Sequence, residues 1–165
     1  GTYGDMYYAK ANVLRRRGVP THGNFLHMNE QGGGSLIDVG THCLDIVLYL
    51  MDNYKPKMVL GTTYDKLKFQ KETGNPFGPW ETEGYDVEEL ASGYIVMENG
   101  ATIILESSWA INLRDTREAI TTVAGTKAGG DMIDGVHING IRNGRQYVLT
   151  PNLNAGGVAF YDSAV

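Results

Sequence analysis

One cysteine, Cys43, occurs in 165 residues. A single thiol excludes an intrachain disulfide framework and fits a reducing, cytoplasmic setting. Long apolar runs are also missing. The longest candidate, Leu44 to Met51, is interrupted by Asp45 and falls short of the ~18 residues that read as a membrane span. Basic residues form one short run, Arg15 to Arg17, and no stripe. With 14 basic against 19 acidic residues, for a formal charge of −5, neither a nucleic-acid partner nor a membrane partner is expected. The chain opens on Gly1, Thr2, Tyr3 rather than a basic and then apolar leader, so no secretory signal is expected. Gly1 in place of Met is what a tag scar or the cut end of a longer protein would leave.

What is present suits one globular domain over residues 1–165. The length is that of a single domain, and 42% hydrophobic with 20% charged residues is ordinary for one. Glycine is abundant, at 22 residues, and gathers at turns rather than in a repeat.

Met6, Ala9, Val13 and Leu14 recur at spacings of three and four, which predicts a first helix. Arg15 to Arg17 would complement its dipole, and Gly18 and Pro20 would stop it. Asn24 to Met28 reads as a short strand, and Gln31 to Ser35 as a tight glycine turn. From Leu36 to Met51 the pattern is helical and apolar enough for a mostly buried helix. Strands follow: Met58 to Leu67, then a loop at Gln70 to Asp86 containing Trp80, which could be a lid, an interface residue or an anchor. Leu90 to Met97 and Ala101 to Trp109 read as a hairpin, with a type I′ turn expected at Asn99-Gly100. Ala119 to Ala124 is a further strand. Val136 to Arg142 and Gln146 to Leu149 form a second hairpin around Asn143-Gly144. The tail after Pro151 is weakly specified. Helices first and strands after argue an α+β fold: an open, mostly antiparallel sheet with helices packed on one face. The other face would be exposed or meet a partner.

Cofactor and metal motifs are lacking. Gly32-Gly33-Gly34 does not have the G-x-G-x-x-G spacing. No HExxH or clustered ligand set occurs, so no metal is expected. One constellation remains. Asp38 and His42 are four apart on the second helix and would share a face, and Asp45 lies three beyond His42. A carboxylate beside an imidazole can fix its tautomer and raise its pKa, and histidine exchanges protons near neutral pH. Spacing alone leaves a structural alternative open. In it Asp38 serves the helix dipole, His42 is a satisfied core histidine and Asp45 faces solvent.

The run Gly32-Gly-Gly-Ser-Leu-Ile-Asp-Val-Gly-Thr-His-Cys-Leu-Asp45 resembles the G-G-G-x-L-x-D-x-G-x-H-x-x-D signature of the Gfo/Idh/MocA family, the glucose–fructose oxidoreductase and inositol dehydrogenase relatives. Tyr7 to Ala11, Arg15 to Pro20, Val87 to Ser92, Asn99 to Thr102, Glu106 to Trp109 and Gly125 to Gly129 are similar to its flanking segments. The resemblance covers most of residues 3 to 130. It implies the C-terminal substrate and oligomerisation domain of an NAD(P)-dependent oxidoreductase acting on a sugar or cyclitol, the Rossmann domain being absent from this chain. The family's Glu-Lys-Pro lysine has no counterpart, since Lys55-Pro56 follows Tyr54. By the resemblance Asp38 and His42 are catalytic, with His42 the proton acceptor, and Asp45 supports the helix. Lys10 and His22 are further candidates for the substrate cleft. The chain alone is expected to be inactive and to bind no NAD or NADP. It is expected to pair into a homodimer or tetramer through the sheet face. Two other readings stay open: a non-catalytic sheet domain binding a sugar or a partner, and an NAD-dependent glycosidase.

Overall fold

A computed structural model describes residues 2–152 of the chain. The tail beyond Pro151 lies, from residue 153 on, outside the described residues. Eight strands form one sheet in the order β2-β3-β4-β1-β5-β6-β7-β8. They are β1 (Met6–Leu14), β2 (Pro56–Tyr64), β3 (Leu90–Met97), β4 (Thr102–Ser108), β5 (Ile120–Gly125), β6 (Ala128–Asp131), β7 (His137–Arg142) and β8 (Arg145–Leu149). Every neighbouring pair is antiparallel except β1 with β4. A short helix α1 (Met28–Gln31), a π-helical turn (Leu36–Gly40) and helix α2 (Thr41–Met51) lie between β1 and β2. The α+β class and the open, mostly antiparallel sheet are as expected.

The first predicted helix is instead the central strand β1. Ala9, Ala11 and Val13 are buried, and the residues between them are not. That is a period of two. Met6, Ala9 and Val13 fit the helical spacing as well, so the local pattern suits either period. β1 pairs on both sides, with β4 and β5, and this pairing overrides the local pattern. Arg15 to Arg17 therefore complement no helix end; Arg15 pairs with Glu118 at 2.8 Å. The strand expected at Asn24 to Met28 is a turn closed by the His27 N–H on the Asn24 carbonyl at 3.1 Å, and among the described residues it pairs with no strand.

The turn chemistry also differs from the reading of the first hairpin. At Asn99-Gly100 only Gly100 has a positive φ, 86°. Its N–H bonds the Met97 carbonyl at 2.9 Å, as in a three-residue loop ending in a left-handed bulge residue. The I′ pattern occurs at Asn143 (φ 52°) and Gly144 (φ 71°), between the paired residues Arg142 and Arg145.

The core lies between the sheet and α2. Ala9, Ala11, Val13, Ile103, Leu105 and Val123 meet Cys43, Val47 and Met51. Burying a side chain such as Val47 contributes about 1.5–3 kcal/mol. The helix is amphipathic rather than mostly buried: Tyr49 is 73% exposed and Leu50 40%. Met28–Met51 taken as one segment has the length and hydropathy of a membrane span, contrary to the expectation of none. The fold breaks that segment at Gly32–Gly34 and seats α2 on the sheet. The other sheet face carries Tyr8, Lys10, Asn12, Ile104 and Glu106, which alternate with the core residues.

Candidate active site

The start of the signature helix is clamped to the sheet by its neighbours. The Glu88 carboxylate accepts from the N–H groups of Gly34 (2.8 Å) and Leu36 (2.9 Å), and the Glu88 carbonyl accepts from Ser35 N–H at 3.1 Å. These are helix-start donors that otherwise lack partners. Ser35 and Ser107, both fully buried, exchange hydroxyl-to-carbonyl bonds at 3.1 and 2.6 Å. A Cβ at Gly34 would stand 1.8 Å from the Glu88 carbonyl oxygen, and one at Gly40 would stand 3.0 Å from Ser107. Two of the signature glycines thus let the helix lie against the Glu88 backbone and β4.

The clamp holds Asp38. It sits within the π-turn, half-buried, and its Oδ2 accepts a 2.7 Å bond from the indole N–H of Trp109. Trp109 is fully buried at the end of β4. His42 and Asp45 are exposed on α2. Among the described residues no hydrogen bond joins Asp38 to His42. The expectation of a carboxylate beside the imidazole took a plain α-helical period, whereas a π-turn has a different one and is often found at functional sites. His42 is not a core histidine.

Lys10 is not brought to this site. It lies on the opposite sheet face, in a cavity with Asn12, Glu106 and Arg117. There the Asn12 amide donates to Glu106 at 2.8 Å. His22 lies exposed in the loop after Pro20, edge-on to Phe25 with ring centroids 5.4 Å apart. No contact joins it to Asp38 or His42. Trp80 is a loop anchor, 94% buried, whose indole donates to the Lys68 carbonyl at 2.9 Å.

Sequence reasoning assigns Glu88, Glu89 and Ser107 no site role beyond their family-like segments, and places Trp109 only as a core or interface residue. Their signal was a pair of acids just before a buried strand, and a tryptophan closing another. Glu89 is buried and accepts from the N–H groups of Leu67 and Lys68, which ties the long loop beside the site. Burial pushes its carboxyl above the ordinary range. Burial, and then the charges of Glu89 and Glu88, push the Tyr85 hydroxyl far up. The glycine-led helix start does not fit a dinucleotide. Its Gly34 and Leu36 donors are taken by a carboxylate, which would repel a pyrophosphate. Among the described residues no group of three or more metal-ligating side chains gathers.

The sequence model of the GFO/IDH/MocA C-terminal domain matches residues 1–129. The chain belongs to that family. D-Glucoside 3-dehydrogenase of Escherichia coli K12 is 37% identical to this GFO/IDH/MocA domain over 149 residues, which are 90% of the chain and 42% of the relative. A putative UDP-kanosamine synthase oxidoreductase subunit of Amycolatopsis mediterranei is 31% identical over 113 residues, 65% of the chain and 31% of the relative. The chain thus spans less than half the length of either. Levoglucosan dehydrogenase in complex with NADH and levoglucosan superposes with a TM-score of 0.71 at 16% identity, over 99% of this chain and 47% of that one. Aldose-aldose oxidoreductase from Caulobacter crescentus, complexed with glycerol, gives 0.68 at 19% identity, over 99% and 44%. At those identities the likeness is one of fold.

Proposed function

We propose that this chain is the substrate-side domain of an NAD(P)-dependent oxidoreductase acting on a sugar hydroxyl or the corresponding carbonyl. The observation that carries the reading is the presentation of Asp38 and His42. One is pinned from behind by a buried indole, and the other is exposed four residues on, at the start of α2. The relatives' names, a glucoside dehydrogenase and a levoglucosan dehydrogenase with NADH, favour a sugar over a cyclitol. A nicotinamide cofactor bound elsewhere in the whole protein supplies the hydride chemistry. This chain supplies the proton side and one wall of the cleft. Asp38 accepts a hydrogen bond from a substrate hydroxyl and fixes its direction. His42 takes the proton of the reacting hydroxyl as a general base. Asp45, exposed on the same helix, supports its orientation. Because Asp38 and His42 do not bond each other, the substrate is what links them.

The test is His42→Asn in the full-length protein, with methyl glucoside and NAD as the probe pair. Turnover falls by about 10²–10⁴-fold while substrate binding and melting temperature change little. Near-full turnover of folded His42→Asn protein across pH 6 to 9 sinks the proton-transfer role.

A further inference from the structure

We infer that Trp109 is a positioning residue for Asp38: its indole N–H fixes one carboxylate oxygen and leaves the other to the substrate. The inference rests on the proposed function and adds a residue to it. Three observations carry it. The indole is fully buried, and its single donor is spent on Asp38 Oδ2 at 2.7 Å, a length typical of a charge-assisted bond. Trp109 itself is held, its backbone N–H bonding the Glu89 carbonyl at 2.8 Å. Asp38 lies in the π-turn, which packs on Ser107 of β4 at Gly40 and follows Gly34, itself packed on the Glu88 backbone, so the backbone beneath the carboxylate is fixed as well. Among the described residues the Asp38 side chain has no protein partner besides Trp109. One oxygen is anchored and one is free to act. A carboxylate held at one oxygen has lost the rotational freedom that would otherwise blur its aim at a substrate hydroxyl, and such aim is worth much in rate. Phenylalanine would fill most of the same space and supply no donor.

Two readouts test this. The first needs no turnover. The chain is labelled with ¹⁵N-tryptophan, and the Trp109 indole resonance is assigned by its loss in Trp109→Phe. That resonance should lie downfield of a free indole N–H and move upfield in Asp38→Asn. An indole resonance at the position of a free indole N–H, or one unmoved in Asp38→Asn, overturns the proposal.

The second readout is kinetic, in the full-length protein with methyl glucoside and NAD. Trp109→Phe should lower kcat by about 10- to 100-fold, leave KM little changed, and add no further loss in an Asp38→Asn background. Should the phenylalanine protein fail to fold, benzothienylalanine at position 109 keeps the bicyclic shape and replaces the N–H by sulfur; the same losses are expected. Unchanged kcat in a folded position-109 variant, with Asp38→Asn impaired, overturns positioning and leaves the proposed function standing. If Asp38→Asn itself turns over normally, the proposed role of Asp38 fails and positioning fails with it. That outcome is told from the previous one by the Asp38 variant alone.

Discussion

Glu88 and Gly34 meet backbone to backbone, so closely that a methyl group at residue 34 would lie 1.8 Å from the Glu88 carbonyl oxygen. The same glutamate closes its carboxylate on the Gly34 and Leu36 N–H groups. The loop before β3 thus sets where the signature helix begins, and with it the height of Asp38 over the sheet.

Gly34→Ala is therefore expected to cost at least about 3 kcal/mol, the upper range of overpacking, or a fall of roughly 6–12 °C in melting temperature. Gly32, two residues earlier, has φ 81° and open space around its Cβ position. Gly32→Ala should cost only about 1–2 kcal/mol, the left-handed penalty. Equal losses in the two variants, measured by thermal melts in one buffer, would show that contact with Glu88 does not decide the need for glycine.

Two carboxylates, Glu89 buried and Asp131 half-buried, should give opposite pH signatures. Glu89 is raised above its ordinary value of 4.5 by burial, against hydrogen bonds from Leu67, Lys66 and Lys68. The folded state holds its proton more tightly than the unfolded state. That contribution to stability is fully present below 4.5 and is lost as pH rises through the raised folded value. At Asp131, burial pushes upward, but bonds from Asn139, the Ile133 N–H and His137 outweigh it and hold the group below 3.8. Its contribution is present above 3.8 and lost as pH falls through the lowered folded value. In melting curves against pH, Glu89→Gln should remove a decline on the rising side and Asp131→Asn one on the falling side. Swapped signs would refute both assignments.

The 165-residue chain should not bind NADH, because the one glycine-led helix start among the described residues is occupied by Glu88. Titration with NADH, followed by nucleotide fluorescence, should show no saturable signal. Micromolar saturation would mean that the chain carries a dinucleotide site of its own.

Self-association through the sheet is expected from β2, which is exposed along its whole length and carries Met58, Val59 and Leu60 at 53%, 65% and 69% exposure. Contiguous exposed apolar surface marks an interface, and two-fold pairing is its commonest form. Light scattering should exceed the 18.1 kDa of one chain and return to it in Leu60→Lys. A monomer at every concentration would end this prediction.

The hydrophobic run from Leu36 to Met51 determined that a helix stands there, and the alternation of Leu90 to Trp109 and Val136 to Leu149 determined the two hairpins. These patterns are local: a helix or a hairpin is selected by residues within a few positions of one another, so no distant partner is needed to read them. The glycine-led signature likewise marked Asp38 and His42 as residues of interest. What surrounds them depended on contacts between segments far apart in the chain. Met6 to Leu14 became a strand because β4 and β5 offered it hydrogen bonds on both edges, and its apolar spacing fits either period. Lys10 went to the far face for the same reason, since a strand sends alternate side chains to opposite sides. Trp109 reached Asp38 across 71 positions, and Glu88 reached Gly34 across 54. The carboxylate could have faced the histidine one turn on, but a π-turn and a buried indole set its direction instead, and only the packing of β4 beneath the helix brought that indole within reach.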